Sequence, residues 1–495
     1  MADFKKLLLR YGQKAVDALG RDGLALVAVW ALLGLLTLAR GASFLFFLCL
    51  CLWTYGIVYC LRDLGQRYAF FIFLLAFFLF LLGGEITDQY FGCKLEYTFD
   101  PSTDAHAFLA ILISLAALIL GAQLGDLGKK EKKEPRQTLL NRNRSPERVR
   151  HYALLLGMGG LYASFLPYLI SQLEAAIFVL QNGYLKYYTE FSSQLPKVLS
   201  LPSELFPMFF FMYLAAMPKK KQCLVPFLLY FGCGCIGLLT GRRLNFGIAI
   251  LVLVAYIIMR HFRDRSEGWI RKKWLLIALG ALPVLVVALY CYRFLRYQEE
   301  IQGGNIFDIF IRFFNQQGVS ITTLKFQKRF EGDPLGCTSL YYTLKYLRCN
   351  SITEGLLNFP VELYEIRGQA TALKTNSLAD FIMFRVSKVQ YLKGYGLGTS
   401  YVAELYHDLG YVGVGLGSLL YGFAMNRLFR VDGENRSPWR LMLGFMVLEE
   451  FVILPRYSAD VVLRPFLSIS KNAVLLCCIF AVEYLSRHRK EEKRK

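Results

Sequence analysis

The chain has 495 residues, 55% of them hydrophobic, with a mean hydropathy of +0.38 and a formal net charge of +20. A soluble protein of this length divides into two or three domains and carries far less apolar surface. The composition therefore excludes a soluble enzyme and points to repeated passage through a bilayer.

The apolar residues fall in runs of about 17 to 22, the length that crosses a hydrocarbon core. Read in chain order, these runs predict about twelve transmembrane helices, at roughly 22–39, 43–61, 68–84, 106–124, 152–172, 203–217, 222–240, 244–260, 274–292, 403–424, 439–454 and 467–485. Each must be helical, because backbone exposed to lipid can satisfy its N–H and C=O groups only internally. The fold class is thus all-α and polytopic. The first segment is expected to stay as a span and not to be a cleaved signal peptide. Its apolar core is too long, no small-residue cleavage site follows, and a second span starts almost at once.

Lys and Arg gather at Lys5, Lys6 and Arg10, in 125–151, at Lys219 to Lys221, in 261–273 and in the tail from Arg487. The positive-inside rule then predicts both termini in the cytoplasm. The chain divides into nine spans with short loops over 1–292 (basic linker 125–151), a large outer loop over 293–402, three spans over 403–485 and a basic tail over 486–495. The positive charge faces anionic headgroups, so membrane lipids are expected partners and nucleic acid is not.

No cofactor is expected. There is no Gly-rich Lys-Ser/Thr phosphate loop, no His-Glu-x-x-His, no Gly-x-Ser-x-Gly and no Asp-x-Asp. No cysteine spacing resembles a zinc site. Cys337 and Cys349 lie in the outer loop, either as a disulfide or as free thiols. Chemistry must therefore occur within the membrane or on its outer face, driven by an activated lipid substrate or an ion gradient.

The outer loops break the pattern. After the fifth span, Tyr184, Tyr187, Tyr188 and Phe191 recur at helical spacing, as interfacial anchors or as faces for sugar rings. The seventh span ends in Thr240-Gly241-Arg242-Arg243 and the eighth begins at once. An arginine costs about 2.5–3.5 kcal/mol at a helix centre and less near the interface. The pair either snorkels to headgroup phosphates or grips a lipid-linked pyrophosphate through bidentate hydrogen bonds, the favoured reading. Arg293 and Arg296 open the 293–402 segment. Within it, 305–317 reads as an amphipathic interfacial helix. Phe307, Phe310, Ile311 and Phe314 form one face; Asp308, Arg312, Asn315 and Gln316 form the other, directed at water or a headgroup. At the start of the tenth span, Glu404 stacks over His407 and Asp408 on one helical face, as a general base or as a self-satisfied polar cluster. Glu449 and Glu450 precede Arg456 at the end of the eleventh span, as functional groups or as a Glu–Arg456 pair.

Three stretches carry a family resemblance: Thr240-Gly-Arg-Arg243, Phe314-Asn-Gln-Gln-Gly-Val-Ser320 and Gly398-Thr-Ser-Tyr-Val-Ala-Glu-Leu-Tyr-His-Asp-Leu-Gly-Tyr-Val-Gly413. With the span pattern and the long late outer loop, they resemble the Wzy O-antigen/polysaccharide repeat-unit polymerases. The resemblance implies a GT-C-like glycosyltransferase in the bacterial inner membrane, with its active site facing the exterior. Such an enzyme moves a growing glycan from one undecaprenyl-pyrophosphate carrier onto the non-reducing end of another lipid-linked repeat unit, without a metal. It implies Arg242, Arg243 and Arg293, with Arg296, Arg312 and Arg456, as pyrophosphate ligands and Glu404 or His407 as base. Tyr184, Tyr187, Tyr188, Gln316 and Tyr401 become candidate sugar contacts. A flippase and a chain-length regulator of the same pathway are the implied protein partners. An O-antigen ligase, a cell-wall glycan polymerase or a lipid-linked oligosaccharide flippase are the competing readings.

Overall fold

A computed structural model describes residues 20–127, 146–241, 243–297, 305–333, 335–348, 367–430 and 437–488. Among these residues every regular element is helical. In chain order they are α1 (Gly20–Arg40), α2 (Phe44–Leu61), α3 (Leu64–Phe91), α4 (Pro101–Leu127), α5 (Pro146–Asn182), α6 (Lys197–Ala215), α7 (Lys220–Leu239), α8 (Arg243–Arg263) and α9 (Lys272–Tyr297). The long segment that follows forms α10 (Ile306–Gln317), α11 (Val319–Arg329), α12 (Tyr341–Arg348), α13 (Gln369–Lys374), α14 (Leu378–Val386) and α15 (Lys388–Leu392). The chain then returns through α16 (Tyr401–Leu428), α17 (Pro438–Ile453), α18 (Arg464–Leu467) and α19 (Ile469–His488).

A helix occupies each predicted span, and nine described helices are long and apolar enough to cross a membrane. The other three differ for visible reasons. The apolar stretch of α9 is the shorter Leu276–Tyr292, α17 has 16 residues, and α16 carries Glu404, His407 and Asp408 in its first two turns. The alternation of helix directions gathers the long segment and the 92–100, 183–196 and 454–468 connections at one end, hereafter the loop-rich end. Contacts agree: Gly394 abuts the Leu185 carbonyl, and Asp460 accepts from the Thr343 N–H at 2.7 Å. At the opposite end Arg67 pairs with Asp126 at 2.7 Å and Arg260 with Glu267 at 2.7 Å.

The closest helix pair is α4 with α16. Lipid offers helices no hydrophobic drive to associate, so small residues and interhelical hydrogen bonds must bring them together. A Cβ on Gly422 would lie 2.0 Å from the Leu118 carbonyl oxygen, and one on Gly121 would lie 2.1 Å from that of Leu419. Between these helices Ser114 Oγ is shared by the Tyr401 hydroxyl at 2.6 Å and Ser418 Oγ at 2.8 Å.

The amphipathic helix expected over 305–317 is α10, capped by the Asn305 side chain, which accepts from the Asp308 N–H at 2.8 Å. Its aromatic face lies on α3, with Phe314 6.2 Å from Phe78 and Phe307 5.7 Å from Phe91 between ring centres. Phe313 packs against Val286 and Tyr290 of α9. Its polar face is not simply hydrated: Asn315 Nδ2 donates to Thr87 Oγ1 at 3.0 Å and to the Cys93 carbonyl at 2.7 Å.

The next helix departs from the expectation of an outer loop. Every residue of α11 from Ser320 to Gln327 is buried. The helix is wedged beside α3, α4 and α16, and a π-helical turn at Phe78–Leu82 of α3 opens the adjoining backbone. There a Cβ on Gly84 would lie 2.6 Å from the Cα of Gly318.

Gly422→Val is expected to push α4 from α16 and lower stability by about 1–3 kcal/mol. Gly247→Ala, whose added Cβ would meet nothing within 4 Å, is expected to leave the thermal midpoint of the purified protein in place. Thermal unfolding of the two variants in detergent checks both.

Candidate functional site

The site is built on charges that the fold buries at the loop-rich end. Glu85 follows the π turn of α3 and Asp104 sits in the first turn of α4. Lys325 of α11 lies between them, its Nζ 2.6 Å from Glu85 Oε1 and 2.7 Å from Asp104 Oδ1. Glu85 and Lys325 are buried, whereas the Asp104 side chain keeps 29% of its surface open. Burial by itself would lower the lysine pKa; the two carboxylates outweigh it and hold Lys325 above the ordinary lysine range.

Beside this triad, His106 Nδ1 lies 2.8 Å from the Tyr411 hydroxyl, and its ring stands edge-on to Tyr406 at 4.3 Å. The Tyr406 hydroxyl donates to Glu331 at 3.1 Å, and Lys328 pairs with Glu331. The hydrogen bond from Lys328 holds Glu331 below the usual carboxylate range despite partial burial, and the bond from Tyr406 adds to it.

A second group of carboxylates serves as anchors. Glu404 Oε2 accepts from Ser458 Oγ at 2.7 Å and from the Ala459 N–H at 2.9 Å. Asp408 accepts from the N–H groups of Thr338 at 2.9 Å and Ser339 at 2.8 Å, and from the Cys337 thiol at 3.2 Å. Asp460 accepts from the Tyr342 N–H at 3.2 Å and the Thr343 N–H at 2.7 Å. Each of these carboxylates ties a loop to a helix or helical turn.

Between α3 and α10 lies an apolar groove of about 540 Å³, lined by side chains that include Phe78, Ile86, Phe91, Phe307, Phe310 and Phe314.

The residues singled out from sequence are spread over these features. Arg242 and the side chains of Arg293 and Arg296 lie outside the described residues, as does Cys349. Cys337 is a free thiol. Arg243 donates to the Leu289 carbonyl at 3.0 Å, and Arg312 is exposed on α10. Arg456 lies with its guanidinium carbon 5.5 Å from the centre of the Phe80 ring of α3. The expected Glu–Arg456 pair is replaced by another. Glu450 accepts from Arg464 Nε at 2.9 Å and Nη2 at 2.7 Å, because a 3-10 turn at Ala459–Leu463 carries Arg464 back over the end of α17.

Glu404 and His407 do not form a carboxylate–imidazole pair. The Glu404 carboxylate turns to Ser458 and Ala459, while His407 Nε2 lies 3.4 Å from the Leu335 carbonyl. Tyr401 is wholly buried on Ser114, which leaves no face for a sugar. Gln316 is half-buried on α10. Tyr187 stacks on Phe191 at 4.9 Å, and Tyr188 bonds Tyr184 at 3.0 Å and lies 4.9 Å below the Arg367 guanidinium. Arg367 in turn donates to the carbonyls of Gly394 and Tyr395 at 2.6 and 2.8 Å. The tyrosine cluster thus carries the foot of the long segment.

Glu85, Asp104, His106 and Lys325 escaped the sequence reading. The predicted third span stops at 84, one residue before Glu85, which left that charge in a loop. A carboxylate continuing an apolar run was the available signal.

Lys325→Met is expected to leave Glu85 and Asp104 facing each other without a cation and to cost about 3–5 kcal/mol. The thermal midpoint and protease resistance of purified protein report it.

The family model for O-antigen polysaccharide polymerase Wzy matches residues 24–489. No curated protein and no solved structure matches the chain.

Proposed function

The chain belongs to the O-antigen polysaccharide polymerase family, and we propose that it joins undecaprenyl-pyrophosphate-linked repeat units at the loop-rich end of its helices, on the outer face of the bacterial inner membrane. Family membership makes it an integral membrane polymerase of glycosyltransferase type that acts on lipid-linked repeat units. The observation that carries the finer reading is the juxtaposition on α3. The apolar groove against α10 lies along the same helix that presents Glu85 to Lys325. A polyprenyl chain suits the first, and sugar hydroxyls suit the second, where two carboxylates face one cation.

In this reading the growing glycan leaves its carrier as a hydroxyl of the next repeat unit attacks its anomeric carbon. The charge that develops on the departing undecaprenyl pyrophosphate is met by guanidinium groups, which bind phosphate oxygens bidentately. Arg243, Arg312 and Arg456 are the described candidates at this end, and Arg242, Arg293 and Arg296 complete the set. Glu404 is better suited to holding the 454–463 turn than to taking a proton. Its carboxylate is buried and already accepts two hydrogen bonds. A flippase supplies the repeat units and a chain-length regulator ends the extension.

Purified protein in lipid, given a synthetic undecaprenyl-pyrophosphate repeat unit alone, is expected to yield a ladder of products on a gel. An unchanged substrate, or transfer only to an added foreign acceptor, contradicts polymerisation and favours a flippase or a ligase. Arg456→Gln is expected to lower the rate of ladder growth by about 100-fold if its guanidinium meets the leaving group, and the same gel assay reports it.

A further inference from the structure

We propose that Asp104 is the carboxylate that takes the proton from the acceptor hydroxyl, and that Lys325, itself fixed by Glu85, is the positioning residue that holds it; the assignment rests on the polymerase reading above. Most of the described carboxylates around this site are already engaged. Glu404, Asp408 and Asp460 accept backbone N–H groups, and Glu450 accepts Arg464. Asp333 pairs with Arg385, Asp88 with Lys94 and Glu331 with Lys328. Glu85 is buried completely. Asp104 is held on one side and is more open than Asp88, whose buried Oδ1 meets Lys94 and whose side chain keeps 16% of its surface open. One oxygen, Oδ1, is buried against the Lys325 ammonium, while 29% of the side chain stays open. A base needs that combination: one oxygen held in place and a free surface for the substrate.

The triad is also unevenly matched. Lys325 Nζ faces two carboxylates, and Glu85 Oε2 is buried with no hydrogen-bond partner among the described residues. Two residues farther along α4, His106 is nine-tenths buried, and its Nε2 likewise has no partner there. The charges of Lys328 and Glu331 act on its ring. Glu85 Oε2 lies across Lys325 from Asp104, and the His106 ring lies beside Tyr406. A polyhydroxylated acceptor suits both: its hydroxyls donate to Glu85 Oε2, and accept from or donate to His106 Nε2 according to the tautomer. The charged groups that act on Asp104 are therefore Lys325 and Glu85, with Asp88 and Lys94 near the end of α3.

The step balances without another reactant. The acceptor oxygen forms its bond to the donor anomeric carbon as the bond from that carbon to the pyrophosphate oxygen breaks. The electron pair leaves on undecaprenyl pyrophosphate, and the acceptor proton passes to Asp104, from which water removes it. Lys325 keeps Asp104 oriented and touches no reacting atom.

The test uses the full-length protein in lipid with the synthetic repeat unit, and compares wild type with Asp104→Asn, Asp104→Glu and Lys325→Arg. Asp104→Asn is expected to lower kcat by at least about 100-fold. Its acceptor KM should stay within about twofold and its thermal midpoint should be unchanged, the split that marks loss of a group acting in the transition state. Asp104→Glu should recover part of kcat. Lys325→Arg keeps the charge but misplaces it, and should lower kcat less than Asp104→Asn. The acidic limb of the wild-type pH–rate profile should be absent from the residual rate of Asp104→Asn. A variant Asp104→Asn that builds ladders at the wild-type rate overturns the assignment and leaves the polymerase reading standing. Activity lost only in proportion to unfolded protein, with the pH profile kept, overturns it too. A wild-type protein that builds no ladder overturns the polymerase reading itself.

Discussion

A lysine buried between two acids sets the architecture of the loop-rich end. Removing an ammonium and two carboxylates from water costs several kcal/mol per ion, and only close mutual contact returns it. Lys325 can make that contact only if α11 enters the bundle as far as Glu85 and Asp104. Once it does, the neighbouring positions follow. Gly318 must meet Gly84 without an intervening side chain, α10 is laid across the end of α3, and Thr323 Oγ1 reaches the Gly398 carbonyl at 3.2 Å, just before α16 begins. The long segment is therefore a structural wedge at its start and a set of short surface helices farther on.

The remaining acids at this end act in the same manner on a smaller scale. Glu404, Asp408 and Asp460 each receive N–H groups from segments that have no strand or long helix of their own. Membrane-spanning helices offer such segments few polar partners, since their own backbone groups are internally bonded. Carboxylates at helix ends supply the missing acceptors. This arrangement fixes the walls of a polar site and leaves the apolar groove on α3 facing α10. A polymerase must seat a sugar pyrophosphate and a long polyprenyl chain side by side.

Much of this was legible in the sequence because it depends on local pattern. Runs of apolar residues located the long apolar helices, and the spacing of Phe307, Phe310, Ile311 and Phe314 located α10. Pairings across the chain were not legible. Lys325 lies 240 residues from Glu85, and no periodicity announces such a contact. The Ser-Ile-Thr-Thr-Leu-Lys run of α11 reads as an ordinary polar stretch, because its burial depends on partners in α3 and α4. Proximity in sequence also misled. Arg456 follows Glu450 closely, yet a short 3-10 turn gives the acid to Arg464. The three polar residues Glu404, His407 and Asp408 share a helical face as expected, but Glu404 is claimed by the 458–459 turn and His407 and Asp408 by the 335–339 stretch.

The account stands on α11 being part of the helical body. Amide hydrogen exchange over 319–329, measured on the protein in lipid nanodiscs, tests this directly. The account expects exchange as slow as in α3 and α4, consistent with a helix enclosed by packed neighbours. Exchange at the rate of water-exposed backbone, with α3 and α4 still protected, would contradict it and return the segment to the solvent side of the membrane.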